Sequence, residues 1–209
     1  MRKSLVRTSL LVAALAVIST PALSSAKPFK VDTDHSSVTF KIRHFVTQVQ
    51  GRFDRFHGTV DFDPDARGGE IKVDGTIDVS SIDTDKAKRD EHLRGKDFFD
   101  VAKYPTITFS GGKLTDINSD KTEAKLHGRL TMHGVTKPLV LDVKFHGTAM
   151  TRFHERKAGL TARGTLNRKD FGIVWNKTLD AGGYMLGNTV EVVVEVELTE
   201  QDEPAESAN

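Results

Sequence analysis

The sequence predicts an all-β fold with seven or more antiparallel strands that close as a barrel or stack as a sandwich. Three observations support this prediction. Apolar and polar residues alternate along most of the chain, small residues lie in the middle of the apolar faces, and one charged segment interrupts the strands. Strict alternation gives each strand one buried and one exposed face, as is typical of antiparallel sheets.

The first 26 residues have the three parts of a cleavable signal peptide. A basic start precedes an apolar run at 10–18 that is too short to span a bilayer, and small residues at 24–26 offer a cleavage site. We therefore expect residues 1–26 to be removed and the mature chain, from Lys27, to be exported to the periplasm. No second apolar run is long enough for a membrane helix.

The mature chain has a size and composition that fit one folded domain. It keeps 183 of the 209 residues, which is enough to bury a core without disulfides. We predict a single domain over 27–199, followed by a disordered acidic tail over 200–209 that has no apolar face. After cleavage, 27 basic and 29 acidic residues give a net charge of about −2, which argues against nucleic acid as a partner.

Seven alternating segments set the order of the strands. Their apolar faces occupy 38–44, 56–62, 71–79, 124–132, 139–145, 160–166 and 190–198. Residues with turn chemistry, mainly Gly, Pro and Asp, separate several of these segments at 63–65, 67–69, 111–112 and 134–138. A β-branched run after Pro105 adds another strand. Closely spaced strands of this kind are typical of antiparallel barrels and sandwiches.

Small residues favour the barrel over the sandwich. Gly58, Gly75, Gly128, Ala162 and Gly164 all fall on apolar faces, where a solid core would need volume. They leave room inside a barrel for a ligand, or they let the strands coil tightly at barrel corners. The residues alone leave both explanations open.

One segment, 88–109, breaks the alternation. Its charged first half predicts a short helix, and Pro105 prevents that helix from continuing into the next strand. Phe98 and Phe99 lie between the two, and adjacent residues of an extended segment point in opposite directions. We therefore expect this helical insertion to close or line one end of the fold.

Several motifs occur in one order along the chain. They lie at 34–44, 51–60, 82–84, 89–94, 97–100, 130–138 and 167–173. Together they resemble the YceI-like proteins, a polyisoprenoid- or lipid-binding family, over nearly all of residues 29 to 199. The resemblance implies an eight-stranded, lipocalin-like antiparallel barrel with a long apolar pocket. It also implies a ligand such as an isoprenoid quinone, a polyprenyl diphosphate or another amphipathic lipid, which a barrel of this width can hold.

Ten apolar residues are predicted to line the ligand site. Six of them form the barrel wall: Phe40, Ile42, Phe109, Leu126, Leu141 and Val192. Four aromatic residues form a gate at the mouth: Phe98, Phe99, Phe171 and Trp175. Ordinary core packing is the competing interpretation for each aromatic residue.

Three polar residues, His44, Arg89 and Arg168, are predicted to contact the lipid head group. His44 continues the apolar face of its strand, and the planar guanidinium of arginine suits a diphosphate. Two simpler interpretations compete with this prediction. His44 would be a hydrogen-bonded core residue, and the inserted helix would lie on the surface with a weak Asp90–Arg94 pair.

Neither a metal site nor a catalytic site is predicted. The chain has eight histidines without HxH or HExxH spacing, and it has no cysteine. It also has no nucleophile elbow, no P-loop and no suitably placed dinucleotide-binding motif. We expect no obligatory cofactor, only a bound isoprenoid lipid such as ubiquinone or polyprenyl diphosphate.

Three functional hypotheses follow. The first is a periplasmic, non-enzymatic carrier that encloses an amphipathic isoprenoid lipid, with transient contact to a membrane or membrane protein. The second is an enzyme that modifies such a lipid. The third is a non-catalytic stress-response protein whose barrel is filled by its own side chains. The oligomeric state is left open, with a homodimer among the options.

Overall fold

The computed structural model describes residues 26–64, 70–178 and 184–201. The predicted signal peptide therefore lies outside the described residues, except for Ala26, and so does the acidic tail from residue 202. Within these ranges there is one α-helix, α1 (Ala87–Arg94). The strands are β1 (Lys27–His44), β2 (Thr47–Phe53), β3 (Phe56–Phe62), β4 (Glu70–Asp78), β5 (Ile82–Asp83), β6 (Thr106–Thr115), β7 (Glu123–Met132), β8 (Val135–Met150), β9 (Arg156–Asn167) and β10 (Leu186–Glu200).

Eight of these strands close into an antiparallel barrel. The hydrogen-bonded ring runs β1–β10–β9–β8–β7–β6–β4–β3 and returns to β1. The pairing of β1 with β10 closes the ring, from Phe29 opposite Glu200 to His44 opposite Leu186. The predicted eight-stranded antiparallel barrel with a short helical insertion is therefore confirmed.

The first strand is longer than the alternation predicts. Lys27–Lys30 pairs with β3, whereas Val38–His44 pairs with β2. Between these parts the strand bulges. Asp32 lies opposite Glu197 and Ser37 lies opposite Glu195, so β1 has more residues than β10 over the same stretch. The extra residues change which side chains face inward, which is why a simple period of two does not extend through residues 27–37.

The chain between β4 and β6 covers one end of the barrel, which we call the capped end. It contains a short 3-10 turn (Val79–Ser81), β5 and α1. The buried carboxylate of Asp90 accepts hydrogen bonds from the backbone N–H and the hydroxyl of Thr84. Arg94 donates to the carbonyl oxygens of Ser80 and Ile82 at 2.8 and 2.7 Å. Asp90 and Arg94 thus anchor the helix to β5, so the interpretation of an exposed Asp90–Arg94 pair is wrong.

The core has two parts, one toward each end of the barrel. At the capped end, buried Phe53, Ile82 and Phe98 belong to one cluster. At the opposite end, Phe29 and Leu198 are fully buried within a second cluster. Phe109 and other half-buried residues pack against both clusters. No helix among the described residues is long and apolar enough to cross a membrane.

The small residues of the apolar faces serve two purposes. At Gly128 an added Cβ would collide with the ring of Phe109, and at Gly164 it would lie 2.6 Å from Cδ2 of Leu141. These glycines therefore let large neighbours lie against the wall. Gly75 differs, because an added Cβ there would meet only the carbonyl oxygen of Phe109, at 4.0 Å. The wall beside Gly75 borders unfilled space.

Candidate functional site

A cavity of about 730 Å³ occupies the interior of the barrel. His92 and Trp175 border it at the capped end, and Asp63 and Glu123 border it at the opposite end. Aliphatic and aromatic side chains from the barrel strands make up most of its wall. The hypothesis of a barrel filled by its own side chains is therefore wrong.

All six residues that the sequence predicts as wall border this cavity. They are Phe40, Ile42, Phe109, Leu126, Leu141 and Val192. They lie on five strands, and the inward side of each strand follows from its alternation. The ring of Phe109 lies against Gly128 and forms part of the wall between the two core clusters. Their contact with a ligand stays a prediction.

Three of the four predicted gate residues lie together at the capped end. Phe98, Phe99 and Trp175 all border the cavity. The rings of Phe98 and Trp175 are 5.1 Å apart, and the ring of His92 stands edge-on to both at 5.0 and 5.1 Å. The ring of Phe99 stands edge-on to that of Phe53 on β2, with the ring centres 6.1 Å apart. This aromatic cluster joins α1 to the segment after β9 and covers the end of the cavity.

The predicted position of Phe171 at the mouth is wrong. Its side chain is 3% exposed, packs in the core cluster of the capped end and does not border the cavity. Phe171 ends a 3-10 turn that follows β9 (Arg168–Phe171), so strand alternation does not set its direction. Its carbonyl oxygen accepts a hydrogen bond from Nδ1 of His133 at 3.0 Å, which ties this turn to the β7–β8 hairpin.

Arg168 is a buried charged residue in the cavity wall. It is only 3% exposed. Its Nε donates to the carbonyl oxygen of Gly187 at 2.9 Å, and its Nη1 donates to those of Ile173 and Trp175, both at 2.8 Å. Its Nη2 is buried without a hydrogen-bond partner among the described residues. Arg168 therefore holds the segment after β9 against the start of β10 and keeps one donor group unused.

Among the described residues, the groups that accept hydrogen bonds from Arg168 are neutral. Its three acceptors are backbone carbonyls, and burial lowers the pKa of its guanidinium below the usual value. Taking a cation out of water without a counter-charge costs free energy. An acceptor or anion supplied by a ligand near this guanidinium would offset part of that cost.

The other two predicted head-group residues border the same end of the cavity. Arg89 lies on α1, where its Nε and Nη2 donate to the hydroxyl and the carbonyl oxygen of Thr84 at 2.7 and 2.6 Å. His44 ends β1, and its ring stands edge-on to that of Phe45 at 4.8 Å. The structure thus brings Arg89, His44 and Arg168 to one end, with Arg89 committed largely to Thr84.

Sequence reasoning missed several residues of the capped end. Thr84, His92, Leu93, Met185 and Leu186 also border the cavity. Helical spacing offered a signal for two of them, because His92 and Leu93 sit in the last turn of the inserted helix. Met185 and Leu186 precede the alternating part of β10, so no periodic pattern marked them.

One cluster outside the cavity has the composition of a metal site. The ligand atoms of Asp32, His35 and Glu197 lie within 4.8 Å of one another. The ammonium group of Lys157 lies 2.9 Å from Asp32 and 3.5 Å from Glu197, so this cluster already contains a cation. The hydrogen bond from Lys157 lowers the pKa of Asp32 to about 2, and the Asp32 carboxylate raises the pKa of His35. We interpret the cluster as an ion-pair network at the bulge of β1.

Comparison with known proteins identifies the family. Residues 29–198 match the model of the YceI-like domain. The chain belongs to the YceI-like family. It is 36% identical to a UPF0312 protein of Vibrio cholerae over 170 residues, and this aligned region covers 80% of this chain and 88% of that protein. The resemblance inferred from the sequence motifs is confirmed.

Solved structures of YceI-like proteins have the same fold. The YceI protein of Campylobacter jejuni matches with a TM-score of 0.66 and 33% identity, over 78% of this chain and 91% of that chain. A polyisoprenoid binding domain from Saccharophagus degradans matches with a TM-score of 0.61 over 83% of this chain and 98% of that chain. That domain is only 14% identical, so the likeness concerns the fold alone.

Proposed function

We propose that this YceI-like protein is a non-enzymatic carrier that encloses one amphipathic isoprenoid lipid in its barrel. The observation that supports this function most strongly is the apolar cavity of about 730 Å³ between the two ends of the barrel. Holding an apolar tail in such a cavity instead of in water is favourable by roughly 25 cal/mol per Å² of buried surface, so the protein can keep the tail out of water without an energy source. The name of the Saccharophagus degradans domain, a polyisoprenoid binding domain, agrees with this class of ligand.

The cavity volume limits the length of the enclosed tail. At about 30 Å³ per heavy atom, the share that a water molecule takes in the liquid, 730 Å³ holds about 24 atoms. This corresponds to a tail of roughly five isoprene units. A longer tail has to leave part of its length outside the barrel or displace wall side chains.

The head group is placed at the capped end. Arg168 supplies a buried cation there, and His44 and Arg89 border the same part of the cavity. A phosphate oxygen or a quinone carbonyl would accept a hydrogen bond from these donors, whereas a hydrocarbon end would not. We therefore place the tail toward the opposite end, against Leu126 and Leu141.

The cellular setting is part of the same proposal. The signal peptide predicted over 1–26 would export the protein to the periplasm, where a carrier has to exchange its lipid with membranes or membrane proteins. The partner is then a small lipid and not a nucleic acid. An enzyme acting on the same lipid differs in one observable: it would change the mass of the lipid during incubation, whereas a carrier would return it unchanged.

The only tryptophan of the chain provides the assay. Trp175 borders the cavity, so a bound quinone should quench its fluorescence. We expect saturable quenching by ubiquinone and competition by polyprenyl phosphates. Two results would contradict an enclosed ligand. One is quenching that does not saturate, and the other is quenching that an excess of polyprenyl phosphate or another isoprenoid lipid does not reverse.

A further inference from the structure

Among the described residues, four apolar side chains are exposed on the rim of the capped end. Phe45 and Val46 form the tip of the β1–β2 hairpin, and Val46 is fully exposed. Val174 is 62% and Tyr184 is 55% exposed, on the two segments between β9 and β10. We call these four residues the rim patch. Groups of exposed apolar side chains on a soluble protein can mark a binding surface.

Backbone hydrogen bonds hold the parts of the rim patch side by side. The N–H of Phe45 donates to the carbonyl oxygen of Met185 at 2.9 Å, and the N–H of Met185 donates to that of Lys177 at 3.0 Å. Tyr184 pairs with Thr178 in an isolated β-bridge. These bonds place the hairpin tip beside the segments that carry Tyr184 and Lys177, and Val174 lies three residues before Lys177.

Three basic residues lie beside the rim patch. Arg43 donates from Nη1 to the carbonyl oxygen of Phe45 at 2.7 Å, and Nζ of Lys169 lies 5.5 Å from the centre of the Tyr184 ring. Exposed Lys177 adds a third cation. Exposed Asp170 follows Lys169 and offsets part of this charge. Apolar side chains flanked by three cations fit the surface of an anionic bilayer, where phosphate groups lie above an apolar interior.

Residues next to the rim patch in the sequence border the cavity. His44 precedes Phe45, Trp175 follows Val174 and Met185 follows Tyr184, and all three residues border the cavity. A bilayer in contact with the rim patch would therefore face the end of the barrel that contains Arg168. Lipid that passes between the bilayer and the cavity at this end would meet the aromatic cluster of His92, Phe98 and Trp175.

We propose that the rim patch is a membrane-contact site that docks the capped end onto an anionic bilayer. Its apolar side chains enter the boundary between head groups and acyl chains, while Arg43, Lys169 and Lys177 meet lipid phosphates. This contact does not require that the barrel holds a lipid, so it stands or fails separately from the proposed carrier function.

The opposite end provides a matched control. Phe153 and Met150, at the β8–β9 hairpin, are 67% and 63% exposed, so this end also presents apolar side chains. Neither residue borders the cavity, and the guanidinium of Arg152 lies 4.7 Å from the centre of the Phe153 ring. Substitutions at this hairpin remove similar apolar surface at the far end of the barrel.

The test is co-sedimentation of the mature chain with vesicles of phosphatidylcholine, alone or mixed two to one with phosphatidylglycerol. We expect binding to the mixed vesicles that weakens with added salt. The variant Val46→Ser/Val174→Ser should lose about tenfold in affinity, since it removes apolar surface comparable to one buried side chain. Lys169→Gln and Lys177→Gln should each lose about fivefold at low salt, as expected for one cation near an anionic surface.

Met150→Ser/Phe153→Ser should bind vesicles as the parent chain does. Circular dichroism and thermal melting of each variant check that the fold is kept. No binding of the parent chain to the mixed vesicles, or equal losses in the two double variants, would overturn the proposal. Light scattering that shows a dimer, dissociated by Val46→Ser/Val174→Ser, would assign the rim patch to self-association and would overturn it as well.

Discussion

The substitution Gly75→Leu should weaken ligand binding without lowering the stability of the fold. Gly75 lies in the middle of β4, paired with Gly58 and Phe109 in the neighbouring strands. An added Cβ would meet only the carbonyl oxygen of Phe109, at 4.0 Å, and the position borders the cavity. In Gly75→Leu the new side chain therefore extends into unfilled space.

The expected effects on folding and on binding have opposite signs. A glycine within a strand costs roughly 0.5–1 kcal/mol relative to alanine, so Gly75→Leu should keep or slightly raise the free energy of unfolding. Four added carbon atoms take about 120 Å³ at about 30 Å³ each, roughly a sixth of the 730 Å³ cavity. If they displace as many methylene-sized groups of the ligand, the loss reaches about 3 kcal/mol, or about 100-fold in Kd.

Two variants complete the experiment. Thr165→Leu adds the same side chain at an exposed position of β9 and should change neither property. Gly128→Leu should destabilise the barrel by roughly 1–3 kcal/mol, because its Cβ would collide with the ring of Phe109 and lie 2.7 Å from the carbonyl oxygen of Ser110. Guanidinium denaturation and Trp175 fluorescence measure the two properties. Equal destabilisation by Gly75→Leu and Gly128→Leu, or unchanged ligand affinity in Gly75→Leu, would refute the reasoning.

Three further predictions concern the polar groups. Asp90→Ala leaves the buried N–H and hydroxyl of Thr84 without their acceptor and should lower the free energy of unfolding by about 1–3 kcal/mol; an unchanged denaturation midpoint would contradict this. Because Lys157 holds the pKa of Asp32 at about 2, below its usual 3.8, their pair stabilises the fold above about pH 4, and this contribution is lost as the pH falls toward 2. Asp32→Asn should remove at most about 2.5 kcal/mol of acid-dependent stability, and a plot of denaturation midpoint against pH identical to that of the parent chain would count against this prediction. Arg168→Met leaves three carbonyl oxygens without a donor and should lower the free energy of unfolding by roughly 3 kcal/mol. It should also weaken the binding of polyprenyl phosphates more than that of an isoprenoid tail without a head group. Equal weakening of both would argue against a head-group role for Arg168.

Alternation predicted the antiparallel strands because it reports which side of each strand is buried, and the small residues on the apolar faces favoured a barrel over a sandwich. It therefore placed Phe40, Leu141 and Val192 on the inside without reference to any distant contact. It did not extend to residues 27–37, because the bulge between Asp32 and Ser37 adds residues on one strand only. It also left open what the glycines do, since that depends on which neighbouring side chain lies over each one.

The capped end was harder to predict because its contacts come from turns and loops, where strand alternation does not set the direction of a side chain. Arg168 binds carbonyl oxygens of Ile173, Trp175 and Gly187, and no local pattern reports such bonds. Phe171 was misplaced for the same reason: outside a strand, its position in the chain does not set its direction. The family resemblance marked the segment as important but did not tell which of its aromatic side chains border the cavity.

The most direct test of the enclosed lipid is mass spectrometry of an organic extract from protein purified from its native host. We expect about one amphipathic lipid with an isoprenoid tail per barrel, and a smaller amount from Gly75→Leu. A protein that is empty as purified, and that still yields no lipid after incubation with ubiquinone or polyprenyl phosphates, would contradict the proposed function.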